Sequence, residues 1–442
     1  MSGADTIAAI ATAPGRGGVA VVRVSGPDAF RVARALTGRA VGRAQAGRFF
    51  HAAFRAPGGP AVLDDGLVLV FAAPHSYTGE DVVELQGHGG SVAPRRVLEA
   101  CLAAGARLAR RGEFTARAFL NGRLDLGAAE AVLDLIDAKT ARAADDAVAR
   151  LGGAPSRALE ALYAAALDLS SQVEHALDVS EEELPADFAG ALRAALGDLR
   201  EAVARKLSTA REGRLLREGA RVVLAGAPNA GKSSLLNALL GERRAIVSDI
   251  AGTTRDAIED WMEIGGWPVR LVDTAGLREA RDAVEAEGVA RAAALIDAAD
   301  LVLRLVPCGA ADGAAARPAD GRELRVWSKC DAARGAKPAG LCVSAVTGEG
   351  LDELRAAIAR ALARQAAKRA EETGADVTTR QKDGLLAADA ALARADAALA
   401  GADWVVAANE LRAAGEALGQ MLGKVYADDL LDALFSRFCV GK

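Results

Sequence analysis

The chain has 442 residues, enough for about three domains at roughly 150 residues each. Its 51% hydrophobic and 26% charged residues are the balance of a soluble protein able to bury several cores. With 54 basic and 59 acidic side chains the net charge is −5, which excludes wrapping of nucleic acid by bulk positive charge, and 4% aromatics argue against a stacking platform for single strands.

Residues 1–118 read as mixed α/β. The β-branched runs 19–24 and 66–71, bounded by Gly and Pro, have the texture of strands, and 95–104 has helical spacing. From 124 to 217 the texture becomes Ala/Leu/Glu/Arg stretches of helical period, interrupted near 181–185. Residues 221–226 form a strand feeding a Gly-rich turn, and strands and helices then alternate to about 365. Residues 366–442 return to the helical texture. The low-complexity segment 309–318 predicts a flexible loop.

The implied fold is α/β plus all-α. An N-terminal α/β domain covers 1–118. A helical domain formed by 119–217 and 366–442 carries an inserted P-loop, Ras-like α/β domain at 218–365. The basic residues Arg205, Lys206, Arg211, Arg214 and Arg217 alternate with Glu201, Glu212 and Glu218, the pattern of a solvated helix face more than of a phosphate track.

Cys101, Cys308, Cys330, Cys342 and Cys439 form no C-x-x-C pair and no ligand-like spacing with the four histidines. Neither a disulfide framework nor a structural zinc site is expected, and a reducing cytoplasm is the default. Residues 1–14 contain Asp5 and no leading Lys or Arg, so no signal peptide is read there. Charges break every Ala-rich stretch, so no membrane span is expected.

The chemistry-bearing motif is Gly226-Ala-Pro-Asn-Ala-Gly231-Lys232-Ser233, between a strand and a helical segment. Its glycines permit a loop whose amides surround phosphate oxygens at a helix N-terminus. Lys232 suits the β- and γ-phosphates and the Ser233 hydroxyl suits Mg²⁺. Further on, Gly252-Thr-Thr-Arg-Asp256 offers Thr254 to the same metal. Leu271-Val-Asp273-Thr-Ala-Gly276 offers Asp273 to the metal's surroundings and the Gly276 amide to the γ-phosphate. Val326-Trp-Ser328-Lys329-Cys330-Asp331 and Ser344-Ala345 follow later strands. The Asp331 carboxylate can accept from guanine N1 and N2, an edge adenine lacks. This ordered set describes a GTPase switch domain.

Two positions depart from the usual pattern. Ser328 stands where GTPases carry Asn, which weakens the expected guanine O6/N7 contact. Leu277 stands where Ras-like enzymes carry a water-orienting Gln. An apolar side chain cannot align water, so charge stabilisation must come from elsewhere.

With Asn229 in the P-loop, Gly252-Thr-Thr-Arg-Asp256 and the ending Phe438-Cys439-Val440-Gly441-Lys442, the sequence resembles the MnmE (TrmE) family of tRNA-modification GTPases. The likeness runs through Asp5-Thr-Ile, Pro14-Gly-Arg-Gly-Gly18, Arg23-Val-Ser-Gly26, Tyr77-Thr-Gly-Glu-Asp-Val-Val-Glu84-Leu-Gln-Gly-His-Gly-Gly90, Arg111-Gly-Glu-Phe114, Ala118-Phe-Leu-Asn121 and Asp125-Leu126. It implies a folate-binding, dimerising N-terminal domain. It also implies GTP-driven modification of C5 of the wobble uridine (U34) in tRNA, with a tetrahydrofolate one-carbon unit (5,10-methylene or 5-formyl form) and an FAD-dependent partner, MnmG. The alternative reading is a ribosome-assembly GTPase.

The resemblance extends the nucleotide site to Asn229, Ala230, Gly231, Lys232, Ser233 and Ser234, and to Ser248, Asp249, Ile250, Ala251, Gly252, Thr253 and Thr254. It continues through Asp273, Thr274, Ala275 and Gly276, then Ser328, Lys329, Asp331, Ser344 and Ala345. It implies Mg²⁺ at Ser233 and Thr254, K⁺ among Asn229, Ser248, Ile250 and Thr253, and Glu285 ordering the attacking water. A monovalent cation beside the phosphates would supply what Leu277 cannot. Arg23, Glu84, Arg123 and Lys442 would hold the folate, a carboxylate suiting the pterin N–H groups and cations suiting the glutamyl tail. Cys439 reads either as a nucleophile, counted with Lys232 and Glu285 among the catalytic residues, or as a packing residue.

Overall fold

The computed structural model describes residues 5–179, 184–185, 187–241, 260–273, 293–310, 322–333, 337–367, 377–424 and 428–442. The chain divides into two units. One comprises Met1–Leu133, Leu151–Glu160 and Gly419–Lys442, the other Asp134–Arg150 and Ala161–Leu418.

The first unit is built on a six-stranded sheet. Its strands are β1 (Ile7–Ile10), β2 (Ala20–Ser25), β3 (Phe49–Arg55), β4 (Val62–Phe71), β5 (Val82–Gly87) and β6 (Arg107–Leu108), in the order β3-β4-β5-β2-β1-β6. All neighbours run antiparallel except β1 and β6. The alternation of apolar residues along β2 buries Ala20, Val22 and Val24 toward one face. Helices α1 (Ala29–Thr37) and α2 (Ala93–Ala103) supply the matching apolar stripes. Val32, Leu36, Val97 and Cys101 join Phe54, Val68 and Leu85 in one core. The expected strand 19–24, strand 66–71 and helix 95–104 correspond to β2, the second half of β4, and α2.

Helix α3 (Glu113–Leu120) is held to this sheet by a nearly buried ionic network. Glu113, 2% exposed, accepts from Arg107 at 2.5 and 2.8 Å, from Arg117 at 3.1 Å and from the Arg110 amide at 2.8 Å. Arg117 also reaches Asp5 at 2.6 Å and Glu80 at 3.1 Å. Although burial opposes it, this set of donors holds the Glu113 carboxyl at about 2, well below its ordinary 4.5.

Helices α4 (Leu126–Asp137), α5 (Ala141–Leu151), α6 (Ala154–Asp178), α7 (Phe188–Ser208) and α8 (Ala210–Glu218) occupy the expected helical stretch. Its expected interruption falls between the end of α6 and the start of α7.

The sheet of the second unit comprises β7 (Ala220–Gly226), β8 (Asp260–Ile264), β9 (Trp267–Asp273), β10 (Leu301–Pro307), β11 (Glu323–Ser328) and β12 (Leu341–Cys342), in the order β12-β11-β10-β7-β9-β8. Every pair is parallel except β8–β9. Burial on both faces explains why β7 and β10 read as near-continuous apolar runs. Helices α9 (Lys232–Gly241) and α10 (Leu351–Ala367) cover one face, with Leu235, Leu239, Leu354 and Ile358 packed on Leu224, Leu271 and Leu303. Val223, Val272 and Val302 face a second cluster with Leu295 and Ile296. The β8–β9 hairpin turns on Gly265 and Gly266, whose φ values of +59° and +82° suit a two-residue turn that side chains would strain.

Helices α11 (Thr379–Ala400), α12 (Trp404–Leu422) and α13 (Asp428–Phe435) complete the chain. Within the second unit α11 lies against α7, with ion pairs Arg193–Asp396 at 2.9 Å and Arg200–Asp389 at 3.3 Å. Most of the low-complexity segment 309–318 lies outside the described residues.

The solvated basic face expected before the P-loop domain is not what the structure contains. Lys206 is buried, Arg214 pairs with Asp300, and Arg217 donates to the Val377 carbonyl at 2.6 Å. Arg205 keeps an exposed helical pair with Glu201 at 2.7 Å, and Arg214 a looser one with Glu218 at 3.9 Å. The side chain of Arg211 lies outside the described residues. These cations therefore serve to anchor α7 and α8 within the second unit.

Replacing Glu113 by Gln removes the most buried counter-charge of Arg107 and Arg117, which keep Asp5 and, for Arg117, Glu80. The expected cost is roughly 3 kcal/mol in urea unfolding at pH 7. Because the folded carboxyl titrates below its unfolded value, its contribution is complete above pH 4.5 and fades as pH falls toward about 2. The gap between E113Q and the parent should close over that range, and a constant gap would contradict the network's role.

Candidate functional site

The parallel sheet of the second unit delivers the P-loop, Asp273 and the base-reading turn to its carboxyl edge. β7 ends at Gly226, where φ is +151° and a Cβ would lie 2.5 Å from the Leu305 carbonyl oxygen. Only glycine lets the chain leave the sheet there. Asn229 takes φ +62°, a left-handed conformation that Asn tolerates better than most residues, and α9 then starts at Lys232. The loop's amides and the helix N-terminus thus bracket one concavity suited to anions.

Lys232 folds over this loop and donates to the carbonyls of Gly226 at 3.0 Å and Ala227 at 2.9 Å. A phosphate oxygen would compete for those same ammonium protons. Ser233 Oγ donates to Asp273 Oδ2 at 2.6 Å. A hydroxyl and a carboxylate in contact at the mouth of a phosphate loop are hard oxygen donors, the set Mg²⁺ accepts. Ser234 is exposed on the first turn of α9, and Ala230 is fully buried beneath the loop.

The segments expected to read the base converge on the same edge. Ser328, at the end of β11, is 4% exposed, and its hydroxyl donates to the Ala230 carbonyl at 2.7 Å. The residue in the Asn position therefore ties the turn after β11 to the P-loop, and its one proton is committed there. Lys329 takes φ +58°, and its Cε lies 3.8 Å from where a Cβ on Gly231 would stand, so the aliphatic stem passes over the loop. Asp331 Oδ1 accepts from Ser344 Oγ at 2.6 Å, while that hydroxyl oxygen accepts from the Thr347 amide at 3.1 Å. The serine fixes the exposed Asp331 carboxylate and leaves its other oxygen for a ligand. Ala345 follows Ser344, just beyond the short strand β12. Ser248, Asp249, Ile250, Ala251, Gly252, Thr253, Thr254, Thr274, Ala275, Gly276, Leu277 and Glu285 lie outside the described residues.

The first unit assembles a second constellation. Arg23 on β2 and Glu84 on β5 face each other in the strand register and form an ion pair at 2.9 Å, each side chain 15% exposed. The guanidinium lies over the rings of Tyr77 and Phe114, 5.2 and 5.6 Å from their centroids. The C-terminal segment runs beside it. Arg111 pairs with Val440, the Phe114 amide donates to Lys442 O at 3.2 Å, and Arg23 reaches the Gly441 carbonyl at 3.5 Å. A Cβ on Gly441 would lie 2.3 Å from the Ile10 carbonyl oxygen, so only glycine allows this approach to β1.

Phe438 is fully buried among Leu126, Val132, Leu431 and Phe435. Its burial contributes about 2–3 kcal/mol, while ordering five residues costs roughly 5–10 kcal/mol. The backbone bonds to β1, β2 and α3 are therefore needed to hold the segment.

Lys442 is half-buried. Burial pushes its ammonium below the ordinary range and nearby Arg23 adds to this, while Glu84 pulls the other way. Arg123 is exposed and donates to the Ser76 carbonyl at 3.1 Å, one residue from Tyr77. Cys439 is exposed and so does not pack in the core. Sequence inspection missed the aromatic frame of Arg23 and the grouping of three cysteines, since neither leaves a signal in local spacing.

Residues 6–123 match the family model described as the GTP-binding protein TrmE N-terminus, and residues 126–439 match that of the MnmE helical domain. The chain is 46% identical over 448 residues to the tRNA modification GTPase MnmE of Xanthomonas campestris pv. campestris (strain B100), covering 99% of both chains. It is likewise 46% identical over 467 residues to tRNA modification GTPase MnmE of Symbiobacterium thermophilum, covering 100% of both. Among solved structures, the G domain of the T. maritima FeoB iron transporter matches at 27% identity and a TM-score of 0.23, covering 32% of this chain and 98% of that one.

Asp331→Asn replaces an acceptor with a mixed donor and acceptor. GTP affinity should fall roughly 100-fold, and xanthosine nucleotides, whose 2-oxo group needs a donor, should gain. Unchanged GTP binding by fluorescence titration would dismiss Asp331 as the base reader.

Proposed function

We propose, for a chain that belongs to the MnmE family of tRNA-modification GTPases and is a GTP hydrolase acting in tRNA modification, that its two constellations divide the work between hydrolysis and one-carbon chemistry. Family membership replaces the ribosome-assembly reading. No helix among the described residues is long and apolar enough to cross a membrane. In our reading the protein acts in the cytoplasm as a homodimer, with an FAD-dependent MnmG partner, on C5 of the wobble uridine. We keep the domain layout of 1–118, 119–217 with 366–442, and 218–365.

For hydrolysis, the carrying observation is the Ser233–Asp273 contact at the mouth of the P-loop. Mg²⁺ would neutralise charge on the phosphates; Ser233 would hold it directly, with Asp273 orienting that hydroxyl. Thr254 would complete the set on the switch segment. Lys232 would donate its hydrogen bonds to phosphate oxygens in place of the Gly226 and Ala227 carbonyls. Asp331, fixed by Ser344, reads the guanine edge, while Ser328 fastens the turn that carries it. Asn229, Ser248, Ile250 and Thr253 would place K⁺ beside the phosphates, and Glu285 would order the attacking water.

For the one-carbon step, the carrying observation is the docking of 438–442 against the Arg23–Glu84 pair. Glu84 suits a pterin's N–H donors, and Lys442 with Arg23 suits a carboxylate tail, which fits a tetrahydrofolate derivative. Arg123, on the neighbouring turn, is a further cation for that tail. Cys439, exposed in the same C-terminal segment, would act as the nucleophile.

If K⁺ supplies the missing charge, exchanging K⁺ for Na⁺ at constant ionic strength should slow GTP turnover roughly 100-fold, the size of losing one oxyanion donor. Asn229→Ala should abolish the difference, and equal rates of the parent in both salts would refute the cation's role. Deleting 438–442 should leave K⁺-stimulated turnover nearly unchanged while wobble-uridine modification is lost in tRNA nucleoside analysis. Cys439→Ser, which keeps size but not nucleophilicity, should lose modification alone. Normal modification by the truncated protein would overturn the tail's assignment.

A further inference from the structure

Three cysteines that lie 12 and 22 residues apart or more in sequence meet at the carboxyl edge of the second unit's sheet. Cys308 directly follows β10, Cys330 lies two residues past β11, and Cys342 ends β12. These strands are adjacent and parallel, with Pro307 opposite Ser328 and Trp327 opposite Cys342. The ladder continues past the strands, since the Cys308 amide donates to the Ser328 carbonyl at 2.8 Å and the Cys330 amide to Val343 at 3.2 Å. The backbone thus fixes all three Cα positions. Their sulfurs all lie within 4.8 Å of one another, and Cys308 and Cys330 touch at 2.7 Å. Cys330 is buried, while Cys308 and Cys342 are partly exposed, so the group is reachable from solvent.

We propose that Cys308, Cys330 and Cys342 form a three-thiolate site for a soft, thiophilic d¹⁰ cation, Zn²⁺ or Cu⁺. Thiolates select such ions over hard ones, and among the described residues these three sulfurs form one ligand group without His or carboxylate. At a metal–sulfur distance near ~2.3 Å, trigonal geometry separates sulfurs by about 4 Å. That lies inside the observed grouping, and Cys308 and Cys330 need only rotate apart.

As thiols, Cys330 donates to the Trp327 carbonyl at 3.2 Å and Cys342 to that of Pro338 at 3.3 Å. Binding forms three metal–sulfur bonds and releases three protons to solvent, with no change of oxidation state. Lys337, paired with Glu349, is the cation whose field reaches the Cys330 and Cys342 thiolates and partly offsets the added negative charge.

The site bears on the nucleotide because Cys330 stands between Lys329 and Asp331. A bound ion would clamp the base-reading turn to β10 and β12. This consequence rests on Asp331 reading guanine, whereas the ion site does not.

The test uses the full chain, reduced and metal-free, titrated with Zn²⁺ and separately with Cu⁺ against a chromophoric chelator, with native mass spectrometry giving stoichiometry. One ion per chain is expected, and the arm with the tighter competition identifies the metal. Alkylation followed by peptide mapping should show Cys308, Cys330 and Cys342 protected by the ion while Cys439 stays reactive. This readout needs no variant. Cys308→Ser and Cys342→Ser should each weaken uptake beyond the ~10–100-fold typical of losing an outer partner, whereas Cys439→Ser should not.

No stoichiometric uptake by the reduced parent, or continued alkylation of the three cysteines at saturating ion, overturns the site. GDP affinity should change on loading in the parent and not in C308S. Uptake with unchanged GDP affinity overturns the clamp while sustaining the site. Failure of Asp331→Asn to alter base preference would instead remove the base-reading premise.

Discussion

The parallel pairing of β7 with both β9 and β10 is the constraint on which the second unit depends. Parallel neighbours must all end at the same edge, and the connections between them have to return along the faces. The Gly226 turn, Asp273 and Ser328 each come immediately after, or at the end of, an apolar strand, so pairing alone brings them together. Short hydrogen bonds then set the fine geometry. Ser233 to Asp273 joins the P-loop to β9, and Ser328 to Ala230 joins it to β11. The Ser328–Ala230 bond is not optional, because both residues are buried and an orphaned hydroxyl or carbonyl there would lose its hydration with no return.

The first unit reaches its arrangement by a different route. Its sheet is antiparallel around β2, and register decides which side chains meet. Arg23 and Glu84 are opposite one another because β2 and β5 pair in that register and no other. The C-terminal segment adds to this pair from hundreds of residues away. Phe438 anchors it in an apolar cluster, Gly441 allows it to approach β1, and backbone bonds to α3 fix Lys442. Because burial of Phe438 falls short of the cost of ordering five residues, these backbone bonds are what hold the segment.

Charge is used structurally as much as functionally. Arg107, Arg117 and Glu113 form a nearly buried network that fastens α3, the helix beside the tail. Arg214 and Arg217 hold α8 in place before the P-loop strand. Alternation of basic and acidic residues in these helices resembles a solvated face, but that pattern records only helical neighbours, and the partners that matter here are Asp300 and the Val377 carbonyl, far away in sequence.

The Gly-rich turn after β7, the positions of β2, β7, β9 and β11, the helical texture of 124–217 and the family were legible from residues alone. Each rests on local rules, namely glycine where a loop must approach phosphate, apolar runs where a strand is covered on both faces, and motifs that keep their spacing. The Gly265-Gly266 hairpin is also a local signal, though one easily passed over. What only the tertiary structure decided is which distant residues share a site. The second role of Ser328, the aromatic frame of Arg23, the docking of 438–442 and the meeting of Cys308, Cys330 and Cys342 all depend on strand order and register. Those are set by the summed packing of whole sheets, and no spacing within one segment of the sequence encodes them.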